Sequence, residues 1–171
     1  MNVTARSFPP LAGKAAHTLI LGSMPGRESL RQQQYYAHPR NAFWPIVSRL
    51  LALPEGVGYA QRTKAFTARG FVLWDVLESC ERPGSLDASI EPGSIVPNDF
   101  AAFFAHRKRI ERVFFNGSTA QALFLRHVLP NLPERFATLP MQRLPSTSPA
   151  HAGLRFDAKL DAWRAILPEG A

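Results

Sequence analysis

The chain carries one cysteine, Cys80, in 171 residues. That excludes an intramolecular disulfide, and it excludes an iron–sulfur cluster or zinc site built on four cysteines of one chain. Cys80 reads as an ordinary thiol at the end of a strand. Long apolar runs are also missing. The first run, Thr18–Leu21, is far too short to cross a bilayer. Gly22, Met24, Pro25 and Gly26 follow it in a pattern unlike a signal-peptide cleavage site. No membrane partner is expected, and a cytoplasmic location is. No repeat or low-complexity tract occurs. No His/Cys/Asp cluster has metal-ligand spacing, so neither a metal nor another cofactor is expected. Lysine is scarce as well: of 20 basic residues only Lys14, Lys64, Lys108 and Lys159 are lysine.

What the chain does have is apolar material and arginine. Hydrophobic residues make up 46% and charged residues 19%, enough for one buried core and unlike a disordered chain. One domain over residues 1–171 and a monomer are the expectations at this length. The net charge is +7 and the pI near 10.3. Such a balance suits a polyanion, and arginine forks onto phosphate better than lysine does. Charge alone is also compatible with a role in solubility only.

Four short runs read as strands: His17–Leu21, Phe71–Leu77, Arg112–Phe115 and, more weakly, Met141–Leu144. Their apolar character is continuous rather than alternating, as in strands covered on both faces of a parallel sheet. Helical patterns fall between them, over Ala42–Leu53, Tyr59–Arg69, Phe100–Ala105, Ser118–Leu129 and Leu154–Leu167. Gly70 is placed to stop the second, and Asn98 or Asp99 to cap the third. The alternation predicts an α/β fold, a three-layer α/β/α arrangement around a four-stranded, mainly parallel sheet. Ligands in such folds sit at the C-terminal ends of the strands. Attention therefore goes to Gly22–Asn41, Asn116–Gly117 and Pro145–Gly153.

The first of these loops reads Gly22-Ser23-Met24-Pro25-Gly26-Arg27-Glu28-Ser29-Leu30, then Tyr35-Tyr36-Ala37-His38-Pro39-Arg40-Asn41-Ala42-Phe43-Trp44. It is neither a Walker phosphate loop nor a dinucleotide fingerprint. A loop this long in a small domain is usually functional. A strand ending in Gly-x-x-Pro-Gly, followed by His-Pro-x-Asn-x-Phe-Trp, resembles the first motif of the mismatch-specific uracil glycosylases. The form GSMPG…SL…YYAHPRNAFW is similar to hypoxanthine-DNA glycosylases, as are LWDVLESCERPGSLDASI, VFFNG and LPSTSPAHAG.

The resemblance implies the uracil-DNA glycosylase superfamily, its fold, and a monofunctional enzyme of base excision repair. Its partner would be double- or single-stranded DNA carrying a deaminated base, hypoxanthine first, xanthine or uracil next. Such enzymes flip the nucleotide out of the duplex, and the bond breaks through an oxocarbenium-like sugar. A positioned water and a stabilised leaving base are then the needs. The resemblance implies Asn41 and Ser23 as catalytic candidates, Ser23 standing where the mismatch-specific group has a water-positioning Asn. It implies Met24, Pro25, Tyr36, Phe43 and Asn116 as base-binding residues, Phe43 by stacking and Asn116 by its amide edge.

Each has a plainer alternative. Asn41 suits a helix cap, Phe43 a core position, and Asn116–Gly117 a turn. Tyr35 suits either closing the pocket or packing, His38 either a proton carrier or, before Pro39, a structural residue, and Asp75 is either a buried acid or a pocket residue. Ser146, Thr147 and Ser148 are good donors to phosphate, and Ala150, His151 or Leu154 could fill the gap left by a flipped base. No lysine lies in the three loops, which disfavours a lyase needing an amine nucleophile. A non-catalytic damaged-DNA-binding module, a nucleoside hydrolase and a uracil- or mismatch-specific glycosylase remain the alternatives.

Overall fold

The computed structural model describes residues 3–171. Its strands are β1 (Thr4–Arg6), β2 (Thr18–Gly22), β3 (Phe71–Asp75), β4 (Leu77–Glu81), β5 (Val96–Pro97), β6 (Arg112–Asn116) and β7 (Met141–Leu144). Its α-helices are α1 (Arg27–Gln32), α2 (Phe43–Leu50), α3 (Tyr59–Ala68), α4 (Phe100–His106), α5 (Ser118–His127), α6 (Glu134–Ala137) and α7 (Phe156–Trp163). The central sheet has the order β3-β2-β6-β7, and every pairing in it is parallel.

The continuous apolar runs follow from this sheet having two covered faces. Successive side chains point to opposite sides of a strand. Leu19, Leu21, Val72, Trp74, Val113 and Phe115 enter one core, with Phe100, Phe104 and Phe124. Ile20, Phe71, Leu73 and Phe114 enter the other, with Ile46, Phe66 and Trp163. Three layers result, as the periodicity predicts. Helix ends agree too. Gly70 follows α3 with φ +84°, and the Asp99 side chain accepts from the Ala102 N–H to cap α4.

The expected strand Phe71–Leu77 is in fact two. β3 ends at Asp75, paired with Gly22. The chain then leaves the parallel sheet at Val76, whose N–H donates to the Gly22 carbonyl. β4 joins β1 and β5 in a separate antiparallel sheet. Cys80 is buried in β4 as a free thiol. The first long loop contains α1, and the break between β4 and β5 sends residues 82–95 back over the ends of β2 and β3. Among the described residues no helix is long and apolar enough to cross a membrane.

Candidate active site

A cavity of about 490 Å³ opens at the C-terminal ends of β2, β3 and β6, within the size range of small-molecule sites. Its walls come from the three loops singled out by sequence and from the β4–β5 connection. The structure brings together Ser23, Met24, Pro25, Tyr36, Asn41, Asn116, Ser146, Thr147, Ser148, Ala150 and His151 on that wall. Phe43 is not among them.

The strand ends set the geometry. Gly22 closes β2 beside Asp75, and a β-carbon at Gly22 would lie 2.6 Å from Asp75 Oδ1 and 3.0 Å from the Tyr36 hydroxyl. Only glycine leaves that space open. Tyr36 is held at φ +54°, a left-handed backbone that costs a bulky residue on the order of 1 kcal/mol or more. Its surroundings hold it there. The Ala37 N–H donates to Ser29 Oγ, the Tyr35 N–H to the Tyr59 hydroxyl, and the Tyr35 hydroxyl to the Pro9 carbonyl.

Phe43 corrects the expectation of direct stacking. It is fully buried and meets Trp44, Phe66 and Trp163 edge to face. Tyr36 stacks on it at 4.2 Å and 25°. The wall therefore presents Tyr36, with Phe43 behind it in the core between α2, α3 and α7. Trp44 is core as well, its indole N–H donating to the Tyr35 carbonyl.

Asn41 stands one residue before Ala42, the N-cap of α2. Its Oδ1 accepts from the Phe43 N–H at 2.9 Å, at the start of α2. That leaves the amide NH2 as the uncommitted group on the wall. His38 lines the cavity, and its Nδ1 accepts from the Arg40 N–H. Ser23 donates to Asp87 Oδ1 at 2.7 Å, so its hydroxyl proton is committed. Met24 and Pro25 are buried, the latter's carbonyl accepting from Arg82 Nη2.

Thr147 is the second correction. It is 1% exposed and cannot reach a phosphate. It instead joins the loops: its carbonyl accepts from the Ala42 N–H, while its N–H and Oγ1 bond the Asn116 amide. The Asn116 amide also faces the Tyr36 hydroxyl, whose pKa it lowers against burial, and one oxygen lone pair is left for any ligand. Gly117 follows at φ +96°, where a side chain would also press on Ser146 at 3.0 Å. Ser146 and Ser148 are half-buried, and Ala150, His151 and Leu154 are exposed on the rim. Lys159 in α7 donates to the His151 carbonyl but does not line the cavity.

Sequence reasoning passed over Asp87 and left Asp75 undecided; both line the wall. Burial pushes the Asp75 carboxyl up to about 7, the charge of Asp87 adds to this, and the Arg82 guanidinium opposes it. Burial also raises Asp87, against the hydrogen bond from Ser23 and the charges of Arg82 and His151. Both acids come from the run LWDVLESCERPGSLDASI, but one lone Asp in a polar loop carries no periodic signal.

The sequence profile of the uracil DNA glycosylase superfamily matches residues 9–167. The chain belongs to that superfamily. It is 34% identical over 113 residues to a hypoxanthine DNA glycosylase of Methanosarcina barkeri, covering 66% of this chain and 70% of that protein. It is 34% identical over 116 residues to the hypoxanthine DNA glycosylase of Methanosarcina acetivorans, covering 67% and 72%. A Methanosarcina acetivorans chain solved by solution NMR, provisionally assigned as a uracil DNA glycosylase, superposes with a TM-score of 0.74. That match has 29% identity and covers 96% of this chain and 99% of the other. The chain is accordingly a DNA glycosylase.

Proposed function

We propose that this glycosylase, as one domain and a monomer, releases hypoxanthine from DNA by flipping the deaminated nucleotide into the cavity and hydrolysing its glycosidic bond. The observation that carries the reading is the convergence of Tyr36, Asn41, Asp75 and Asn116 on one wall. An aromatic face, two amides and a buried carboxyl match the faces and edges of a flipped base. The names of the two Methanosarcina relatives support hypoxanthine as the base.

Tyr36 stacks on the base, with Phe43 stiffening it from behind. The free oxygen lone pair of Asn116 addresses the base edge, where hypoxanthine, xanthine and uracil share a carbonyl beside a ring N–H. The Asn41 NH2 donates toward the reacting centre. Ser146, Ser148, Ala150 and His151 on the rim meet the DNA strand, and exposed Arg27, Arg40 and Arg155 meet phosphates.

A base-release panel tests this on duplex and single-stranded DNA carrying deoxyinosine, deoxyxanthosine or deoxyuridine. The expected result is free hypoxanthine and an alkali-labile site, with slower release of the other two bases. Retarded DNA without released base would make the chain a binding module. Preferred uracil release would move it to a uracil-specific role.

A further inference from the structure

We propose that Asp75 is the general acid of this site: in its carboxylic-acid form it passes a proton to N7 of a flipped purine as the C1′–N9 bond breaks. This rests on the base-release reading above.

The β2–β3 register sets Asp75 opposite Gly22, and the missing side chain at Gly22 exposes its carboxyl to the cavity. Asp75 is 4% exposed. Its Oδ2 is buried with no hydrogen-bond partner, and no ion pair to it forms among the described residues. A charged carboxylate in that setting is costly, whereas the neutral acid only has to place one O–H. The groups facing it favour the neutral form on balance. Burial and Asp87 push it up to about 7, and only Arg82 pulls it down. The Tyr35 and Tyr36 hydroxyls are themselves pushed up by burial and stay neutral. Arg27, His38, His151 and Glu28 complete the titratable wall, with Glu28 held down to about 2 by its hydrogen bonds from Arg31 and Gln32. The Tyr36 hydroxyl beside Asp75 is also buried, with the Asn116 amide facing it. A buried carboxyl without a partner at this spot calls for a ligand with an acceptor, and a purine offers N7.

The chemistry balances. The proton leaves Asp75 for N7, and the C1′–N9 bonding pair stays with the base, which departs as a neutral N7–H tautomer. Water adds to C1′, and the proton it releases returns to the Asp75 carboxylate by way of solvent. A base leaving as an anion would be harder to expel from a buried cavity.

The test is single-turnover release of hypoxanthine from deoxyinosine duplex, from pH 5.5 to 9, by wild type and Asp75→Asn. Binding of both proteins to a duplex with non-hydrolysable 2′-fluoro-deoxyinosine is measured in parallel. Wild-type rate should be level in acid and fall about tenfold per unit above the Asp75 titration. Asp75→Asn still offers an N–H but cannot give a proton. It should bind within about threefold of wild type and react ~100-fold or more slower, with the alkaline fall gone. A variant rate near wild type overturns the proposal, as do parallel losses of binding and rate. If the variant does not fold, a wild-type rate flat across that pH range overturns it alone. Wild type that binds the analogue and releases no hypoxanthine removes the substrate reading, and the acid role with it.

Discussion

Asn116 and Thr147 hold each other through two reciprocal hydrogen bonds, Thr147 N–H to Asn116 Oδ1 and Asn116 Nδ2 to Thr147 Oγ1, each 2.9 Å. The end of β6 is thereby locked to the loop after β7, and the Ala42–Thr147 backbone bond adds the start of α2. Thr147→Val keeps the shape and removes the hydroxyl. It should cost about 1 kcal/mol, with a matching fall in Tm, because the Asn116 N–H loses a buried acceptor. Affinity for abasic duplex should fall with it, through loosening of the rim. Ser148→Ala should lower affinity and leave Tm unchanged. An unaltered Tm in Thr147→Val, with a selective loss of DNA binding, would return Thr147 to the phosphate contacts.

Tyr36 and Phe43 divide what one ring was expected to do. Tyr36→Ala should slow base release strongly, since stacking on a base is worth roughly 1–3 kcal/mol. Phe43→Ala empties a core position and should cost about 3–5 kcal/mol of stability. Denaturant unfolding beside single-turnover rates separates them. A Phe43→Ala protein of wild-type stability that loses only base release would put Phe43 back on the wall.

The sheet was legible because β2, β3 and β6 are buried on both faces, while the edge strand β7, with Gln142 and Arg143 exposed, gave the weakest pattern. Thr18–Gly22, Arg112–Asn116 and Met141–Leu144 are short apolar or β-rich runs bounded by turn residues, and each was located within a residue or so. The antiparallel sheet was not. β1 and β5 have three and two residues, too few for a period to show. β4 runs on from β3 with one residue between, so local pattern cannot reveal that its partner changes. The site follows the same division. Asn41 and Asn116 stand in recognisable motifs, whereas Asp87 reaches Ser23 across 64 positions of sequence. Phe43 and Thr147 had the right chemistry for their expected roles, and only the packing around them excluded direct contact with base or phosphate.

Gly22→Ala tests how much the cavity depends on one absent side chain. The added methyl would sit 2.6 Å from Asp75 Oδ1, closer than carbon and oxygen approach, so Asp75 or Tyr36 must shift. Base release should fall by about 100-fold or more, the rough scale on which a displaced reacting group slows chemistry. Non-specific DNA binding, which rests on phosphate contacts, should hold within a few-fold. Gel-shift on undamaged duplex and single-turnover release give the two numbers. Unchanged release would mean that neither Asp75 nor Tyr36 needs its present place.

Asn41 carries the sharpest prediction, because its two amide atoms have separate duties. The oxygen is taken by the Phe43 N–H at the start of α2; the NH2 has no acceptor among the described residues, and Asn41 lies on the wall. Asn41→Asp keeps an acceptor for the Phe43 N–H and loses the donor. Asn41→Ala loses both. If the NH2 works in the reaction, both variants should release hypoxanthine about 100-fold or more slowly, the scale for one positioned donor. Only Ala should also lose about 1 kcal/mol of stability, the scale of one lost hydrogen bond, here that from the Phe43 N–H. Ser23→Ala should be milder, since its proton already goes to Asp87. Retained activity in Asn41→Asp would assign the oxygen, and with it water positioning. A folded Asn41→Ala protein with near-normal release would reduce Asn41 to its structural bond with the Phe43 N–H and move the search to Ser23 and Asp87.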